Sequence, residues 1–193
     1  MNLLILSFLG AYAAGSINFS ILLLKVLGKD DPRTGFSGNP GVYNVYRLAG
    51  FFWALVVLIL DVVRAMGVAI ISVSLLKPEF VPWVGLGLIL GNRFPCFHGF
   101  RGGKGVANYL GFTTIIAPLA AAFSALAWVA IYVLFRIPFI GSFVMVFTLA
   151  AGTLRACDFH PIAAGGVLAT VALIVGGHQS NMVGWVKKKK NGG

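Results

Sequence analysis

Five of the 193 residues are acidic, and only 10% of the chain carries a charge of either sign. So few carboxylates, none of them close to another beyond the neighbours Asp30 and Asp31, exclude chemistry built on paired Asp or Glu side chains. Cysteine is rarer still. Cys96 and Cys157 show neither CxxC nor Cys/His spacing, so neither a disulfide framework nor a metal site is indicated. A GxSxG turn is also missing, as is any Cys/His pair in sequence context, and the chain therefore lacks an obviously activated nucleophile. What is scarce above all is polar sequence. At 59% hydrophobic residues and a mean hydropathy of +0.92, an ordinary soluble domain is excluded. The apolar runs recur to the end rather than giving way to a polar mature chain, so the first run is expected to be a retained span and not a signal peptide. No repeat and no low-complexity linker interrupts them, and residues 1–193 are expected to form a single polytopic membrane domain.

A span needs about 20 apolar residues. On that criterion the sequence predicts an all-α integral membrane protein with about seven transmembrane helices, near 2–27, 49–76, 80–98, 104–117, 118–135, 138–155 and 161–177. The fourth is short and runs into Pro118, so a merged or re-entrant segment, and hence five or six spans, is the alternative. With seven spans, twelve Lys and Arg residues fall on one side and two on the other, Arg64 lying inside a span. Positive residues concentrate on the cytoplasmic side, which puts the N-terminus outside and the C-terminus in the cytoplasm. The net charge of +10 is spread singly between apolar runs, apart from Lys187 to Lys190. Anionic lipid headgroups and anionic substrates, not nucleic acid, are the partners this pattern suggests.

Three polar clusters fall on the same predicted face: Asp30 to Arg47, Gly91 to Asn108, and Gly176 to Asn181. In the second, "FRGGKGV", Arg101 and Lys104 stand among Gly102, Gly103 and Gly105 at the start of an apolar helix. Free N–H groups, a helix dipole and a lysine make an anion-holding arrangement. Lys104 is followed by Gly105 and not by Ser or Thr, so this is no Walker A loop. The plain alternative is a tight turn whose lysine snorkels to lipid phosphates. The first cluster offers Ser37, Asn39, Asn44 and Arg47: small residues, amide donors and a guanidinium fork suited to phosphate, or else an ordinary interfacial loop. The third sets His178 and Asn181 three apart on one helical face, where His178 could serve as a general base or as a cap. Ser142 could donate to a ligand at this face or bond its own helix backbone, the commoner fate of a membrane serine. Asp61 and Arg64, i,i+3 inside a span, are expected to pair structurally away from the depth of the three clusters.

The motifs "SGNPGVYNVYR", "FRGGKGVA" and "HQSN" resemble, in order and spacing, the signatures of the bacterial PlsY-type acyl-phosphate:glycerol-3-phosphate acyltransferases, and the similarity runs from "GSINFS" near Gly15 to the third motif. The resemblance implies a seven-helix enzyme of the bacterial inner membrane. It would move a fatty acyl group from acyl phosphate to the first hydroxyl of glycerol 3-phosphate, giving lysophosphatidic acid and phosphate for phospholipid synthesis, with no metal, other cofactor or covalent acyl-enzyme. Carried over by position, Ser37, Asn39, Asn44 and Arg47 would line the substrate site, Gly102, Gly103, Lys104 and Gly105 would hold phosphate, and His178 and Asn181 would complete it. Lys104, His178 and Asn181 are the expected catalytic residues, with Arg101 and Ser142 as further phosphate contacts, in a monomer whose site faces the cytoplasm. The chain departs from the pattern at Phe36 (usually Gly), Val42-Tyr43 (Ala-Thr), Asn92 (His), Asn108 (Thr), Phe139 (Ser) and Gly184 (Arg). A catalytically degenerate paralogue, or a small anion-binding or transport protein, is the competing expectation.

Overall fold

The computed structural model describes residues 2–191, with side chains as far as Lys187. It is entirely helical among the described residues: α1 (Asn2–Gly15), α2 (Phe19–Val26), α3 (Val42–Ala49), α4 (Phe51–Leu75), α5 (Val81–Arg93), α6 (Val106–Ile116), α7 (Pro118–Phe135), α8 (Pro138–Ala156), α9 (Pro161–Gly176) and α10 (Gln179–Asn191). Proline at the first turn of α7, α8 and α9 sets each helix start, because its missing N–H would have no intrahelical acceptor there.

Among the described residues five stretches are long and apolar enough to cross a membrane, 2–26, 51–75, 78–98, 118–135 and 138–156, and α9 with α10 makes a sixth if the 43° bend between them lies within one span. The expected fourth span is the one that falls short of this length. α6 has 11 residues, about 16 Å of helix against a hydrocarbon core of about 30 Å. Gly105, just before α6, packs against Ile89 of α5, a turn short of the α5 end at Arg93, while Ile116 packs against the core cluster that holds Val81 at the α5 start. The polar loop between α5 and α6 therefore folds back between the helices, and α6 begins below the level at which α5 stops.

The first span is also not continuous. α1 ends at Gly15 and α2 begins at Phe19, with buried Asn18 as its cap: the side-chain oxygen accepts from Ile21 N–H at 3.1 Å. The same residue ties the break to two distant loops, its Nδ2 donating to the Pro40 carbonyl (3.4 Å) and its N–H to His98 Nε2 (3.4 Å). α1 lies against α5 along glycines. A Cβ on Gly91 would stand 2.0 Å from the Tyr12 carbonyl oxygen and one on Gly15 2.1 Å from that of Leu88, so the backbones meet where side chains are absent. α9 runs parallel to α5, fixed at the start of both helices by Trp83 Nε1 donating to the Ile162 carbonyl (2.9 Å) and at their ends by Arg93 lying against Gly177. The amphipathic α3 was not anticipated; at eight residues it is too short to register as a span.

Candidate functional site

The back-folded loop places Lys104 at the junction of α9 and α10, where its ammonium donates to the Asn181 side-chain oxygen. His178, one turn away, is buried, with Nδ1 2.8 Å from the Ile174 carbonyl. A carbonyl only accepts, so Nδ1 carries the proton and Nε2 keeps its lone pair. Phe143 of α8 covers the imidazole edge-on, ring centroids 5.3 Å apart. Two motifs separated by 77 residues thus meet side chain to side chain. The first joins through the loop backbone, since the Pro40 carbonyl oxygen sits 3.3 Å from where a Gly103 Cβ would stand.

Lys104 is half-buried, and burial together with the nearby Arg93 guanidinium lowers its pKa to about 8. Desolvation disfavours the ammonium and a second cation repels it. An arriving phosphate would relieve both. Arg93 was read from the sequence only as an orientation charge; its place beside Gly177 and Lys104 makes it part of the cationic wall. The clue was available in the polar "GNR" that ends an otherwise apolar helix.

The glycines act differently from expectation. Gly102 N–H donates to the Arg93 carbonyl (3.1 Å) and Gly103 N–H to that of Asn92 (2.9 Å), so neither amide is free for an anion. Their lack of a side chain serves close packing instead: a Cβ on Gly102 would stand 2.0 Å from the Asn92 carbonyl oxygen. Gly105 has φ +84°, a left-handed turn that suits glycine, and caps α6. The N–H groups of Val106, Ala107 and Asn108 have no intrahelical acceptor in this first turn. The free N–H groups of a helix start therefore lie there, one turn later than the sequence suggested.

Of the first-loop candidates, Asn44 is buried, accepting from Ser37 Oγ and donating to the Pro32 carbonyl, both at 3.4 Å. Asn39 Oδ1 is buried without a partner among the described residues. Arg47 is exposed and lies over two rings, Phe36 and Tyr43. Ser142 follows its backbone alternative, donating to the Pro138 carbonyl (3.1 Å) while accepting from Trp128 Nε1 (3.3 Å). Arg101 does not join Lys104. It lines a small cavity with Arg33 and Thr34, continuous through Asp31, Arg33 and His98 with an open groove of about 1000 Å³. In that groove Arg33 grips both carboxylate oxygens of Asp31 and donates to the His98 carbonyl (2.7 Å). The Arg33 guanidinium holds the Asp31 carboxyl below its usual range.

Asp61 and Arg64 do pair, at 2.8 Å, but not remotely from the clusters. Arg64 also donates to Asn108 in the first turn of α6 and to the Ile17 carbonyl at the α1–α2 break. The back-folded loop brings α6 down to the depth of Arg64, which the sequence reading had set apart. Among the described residues no three His, Cys, Asp or Glu side chains gather to hold a metal.

The family model for glycerol-3-phosphate acyltransferases matches residues 5–188. The chain belongs to the glycerol-3-phosphate acyltransferase family. Family members include a glycerol-3-phosphate acyltransferase of Myxococcus xanthus, 37% identical over 177 residues, covering 89% of this chain and 90% of that one. Another, from Neisseria gonorrhoeae, is 31% identical over 188 residues, covering 94% and 92%. The fold matches the crystal structure of PlsY, an integral membrane glycerol 3-phosphate acyltransferase, in its glycerol 3-phosphate form, with a TM-score of 0.86 and 29% identity over 98% of this chain and 92% of that one. Its lysophosphatidic acid form gives 0.81 and 28% identity, covering 100% and 93%. Membership of the glycerol-3-phosphate acyltransferase family makes this chain an all-helical integral membrane protein.

Proposed function

We propose that the protein moves a fatty acyl group from acyl phosphate to the first hydroxyl of glycerol 3-phosphate. The observation that carries the reading is the convergence of Lys104, Asn181, Arg93 and His178 beside the open first turn of α6. The attacking hydroxyl oxygen forms a bond to the acyl carbonyl carbon, and the bond from that carbon to the phosphate oxygen breaks. Phosphate leaves with the electron pair, and the hydroxyl proton passes to Nε2 of His178. Lys104 and the α6 N–H groups stabilise the departing phosphate, Asn181 holds the lysine in place, and Arg47 neutralises the phosphate of glycerol 3-phosphate. Ser37, Asn39, Asn44, Gly102, Gly103 and Gly105 shape the loops around the substrates. No covalent acyl-enzyme is needed, because phosphate is already a good leaving group.

The chain acts as a monomer in a bacterial inner membrane, with the site at the cytoplasmic face and the N-terminus outside; the excess of Lys and Arg on that side supports this orientation. Phosphate release by protein in lipid, given palmitoyl phosphate with and without glycerol 3-phosphate, tests the reaction. Release that requires glycerol 3-phosphate and vanishes in Lys104→Ala is expected. No release from folded protein would leave a catalytically degenerate, anion-binding paralogue.

A further inference from the structure

Phe36 combines two unfavourable features: a left-handed backbone, φ +53°, and a side chain left 65% exposed. A non-glycine residue in that region is disfavoured, so the ring needs a compensating partner. It has one in Arg47, whose guanidinium carbon lies 4.9 Å from the Phe36 ring centroid and 4.4 Å from that of Tyr43. Tyr43 is itself propped from α7. It meets Tyr132 edge-on at 6.2 Å, Tyr132 stacks on Trp128 at 5.3 Å, and Trp128 is anchored to Ser142 of α8.

Two other arginines are neutralised, while Arg93 and Arg136, like Arg47, lie over rings, Phe94 at 5.7 Å and Tyr132 at 5.9 Å. The Arg33 fork is filled by Asp31 and Arg64 is paired with Asp61. Arg47 has no acid on it among the described residues; its contacts are aromatic faces. Such contacts restrain a guanidinium through its π surface without cancelling its charge, and they do not compete for the N–H groups in its plane.

We propose that Phe36 and Tyr43 are positioning residues that hold Arg47 charged and poised for the phosphate of glycerol 3-phosphate. The inference rests on the substrate role given to Arg47 above. An exposed arginine loses much rotamer freedom when it grips an anion, and one already confined by two rings has less to lose.

The measurement is the KM for glycerol 3-phosphate in the phosphate-release assay, with calorimetric binding of glycerol 3-phosphate in the absence of acyl donor. Phe36→Ala and Tyr43→Ala are each expected to raise KM and Kd about 3-fold, the loss of one exposed cation–π contact. The kcat and the KM for acyl phosphate stay near wild type, and Phe36→Tyr and Tyr43→Phe, which keep the rings, restore the affinity. Phe100→Ala is the control: Phe100 is also left-handed, at φ +58°, and 60% exposed, but no cation lies over its ring among the described contacts, and its KM should not move.

Should Phe36→Ala fold poorly, Phe36→Gly suits the backbone and must still weaken binding. Unchanged affinity in Phe36→Gly and Tyr43→Ala, or an equal loss for acyl phosphate, overturns the proposal. Wild-type protein that binds glycerol 3-phosphate without turnover refutes the reaction alone, and the dissociation constants then decide the positioning role. Absence of binding in the wild type overturns both.

Discussion

Raising the pH from 7 to 9 should cut kcat/KM about tenfold, because a lysine with a pKa of about 8 is about nine-tenths protonated at the first pH and one-tenth at the second. An undisturbed lysine, at 10.5, would remain almost fully charged across that window. The phosphate of glycerol 3-phosphate is already a dianion above about pH 7, so it contributes no limb there. The profile is to be read on kcat/KM, which reports the free enzyme, with spontaneous acyl phosphate hydrolysis subtracted at each pH. Three substitutions give the attribution its force. Arg93→Gln removes the repelling cation and moves the limb upward. Asn181→Asp supplies an anion and moves it further the same way. Lys104→Arg, if active, flattens the limb because guanidinium does not titrate in this range. A limb that stays near pH 8 in all three would show that Lys104 is not the titrating group. Stability should trend oppositely: below about pH 8 the desolvated ammonium destabilises the fold in full, and this is relieved as pH rises from about 8 toward 10.5, where the unfolded chain binds the extra proton.

Other perturbations follow from the packing. Arg64→Met leaves Asp61 buried and unpaired and should destabilise the protein by about 3–5 kcal/mol in thermal unfolding in detergent; a loss under about 1 kcal/mol would mean the pair is not the hub that links α4 to α6. Gly91→Ala drives a methyl group into the Tyr12 carbonyl and should cost about 1–3 kcal/mol. Gly10→Ala on α1, the helix that faces Gly91, meets open space and should be neutral or stabilising by up to about 1 kcal/mol, so equal losses in both would refute the close-seam account. His178→Asn should lower kcat with little change in the KM for glycerol 3-phosphate, and a wild-type kcat in that variant would remove His178 as the proton acceptor.

The long apolar runs made α4, α7, α8 and α9 legible to within two residues, since hydropathy over a membrane thickness is a strong signal. The α1–α2 break was not legible, because Ser16, Ile17 and Asn18 interrupt hydropathy for too few residues to end a span; only the amide of Asn18, an effective helix cap, hinted at it. The depth of α6 was hidden for a related reason: where a loop folds back depends on which carbonyls it finds, here those of Asn92 and Arg93, and periodicity does not encode that choice. In the site, the pairing of Lys104 with the third motif followed from motif order and residue type. The engaged amides of Gly102 and Gly103 did not, since a glycine pair reads the same whether it frees its N–H groups or lets backbones touch. Arg93 escaped notice because a cation at a span end already has an explanation. The tail lysines 188–190, the one run of cations in the sequence, lie outside the described side chains.

The bonds that hold the polar loops together also dictate when the protein can be finished. Tyr12 hydroxyl to Phe94 carbonyl, Asn18 to His98, Pro78 to Cys157 and Lys104 to Asn181 each join residues between 77 and 82 positions apart. During synthesis, the break in the first span waits, with the Asn18 N–H short of its His98 partner, until α5 and its following loop have entered the membrane. Lys104 then waits as long again for the last helix pair. At a translation rate of about 5–20 residues per second, each delay lasts about 4–15 s. A ribosome that stalls before α9 therefore leaves an inserted chain whose Lys104 lacks its Asn181 partner.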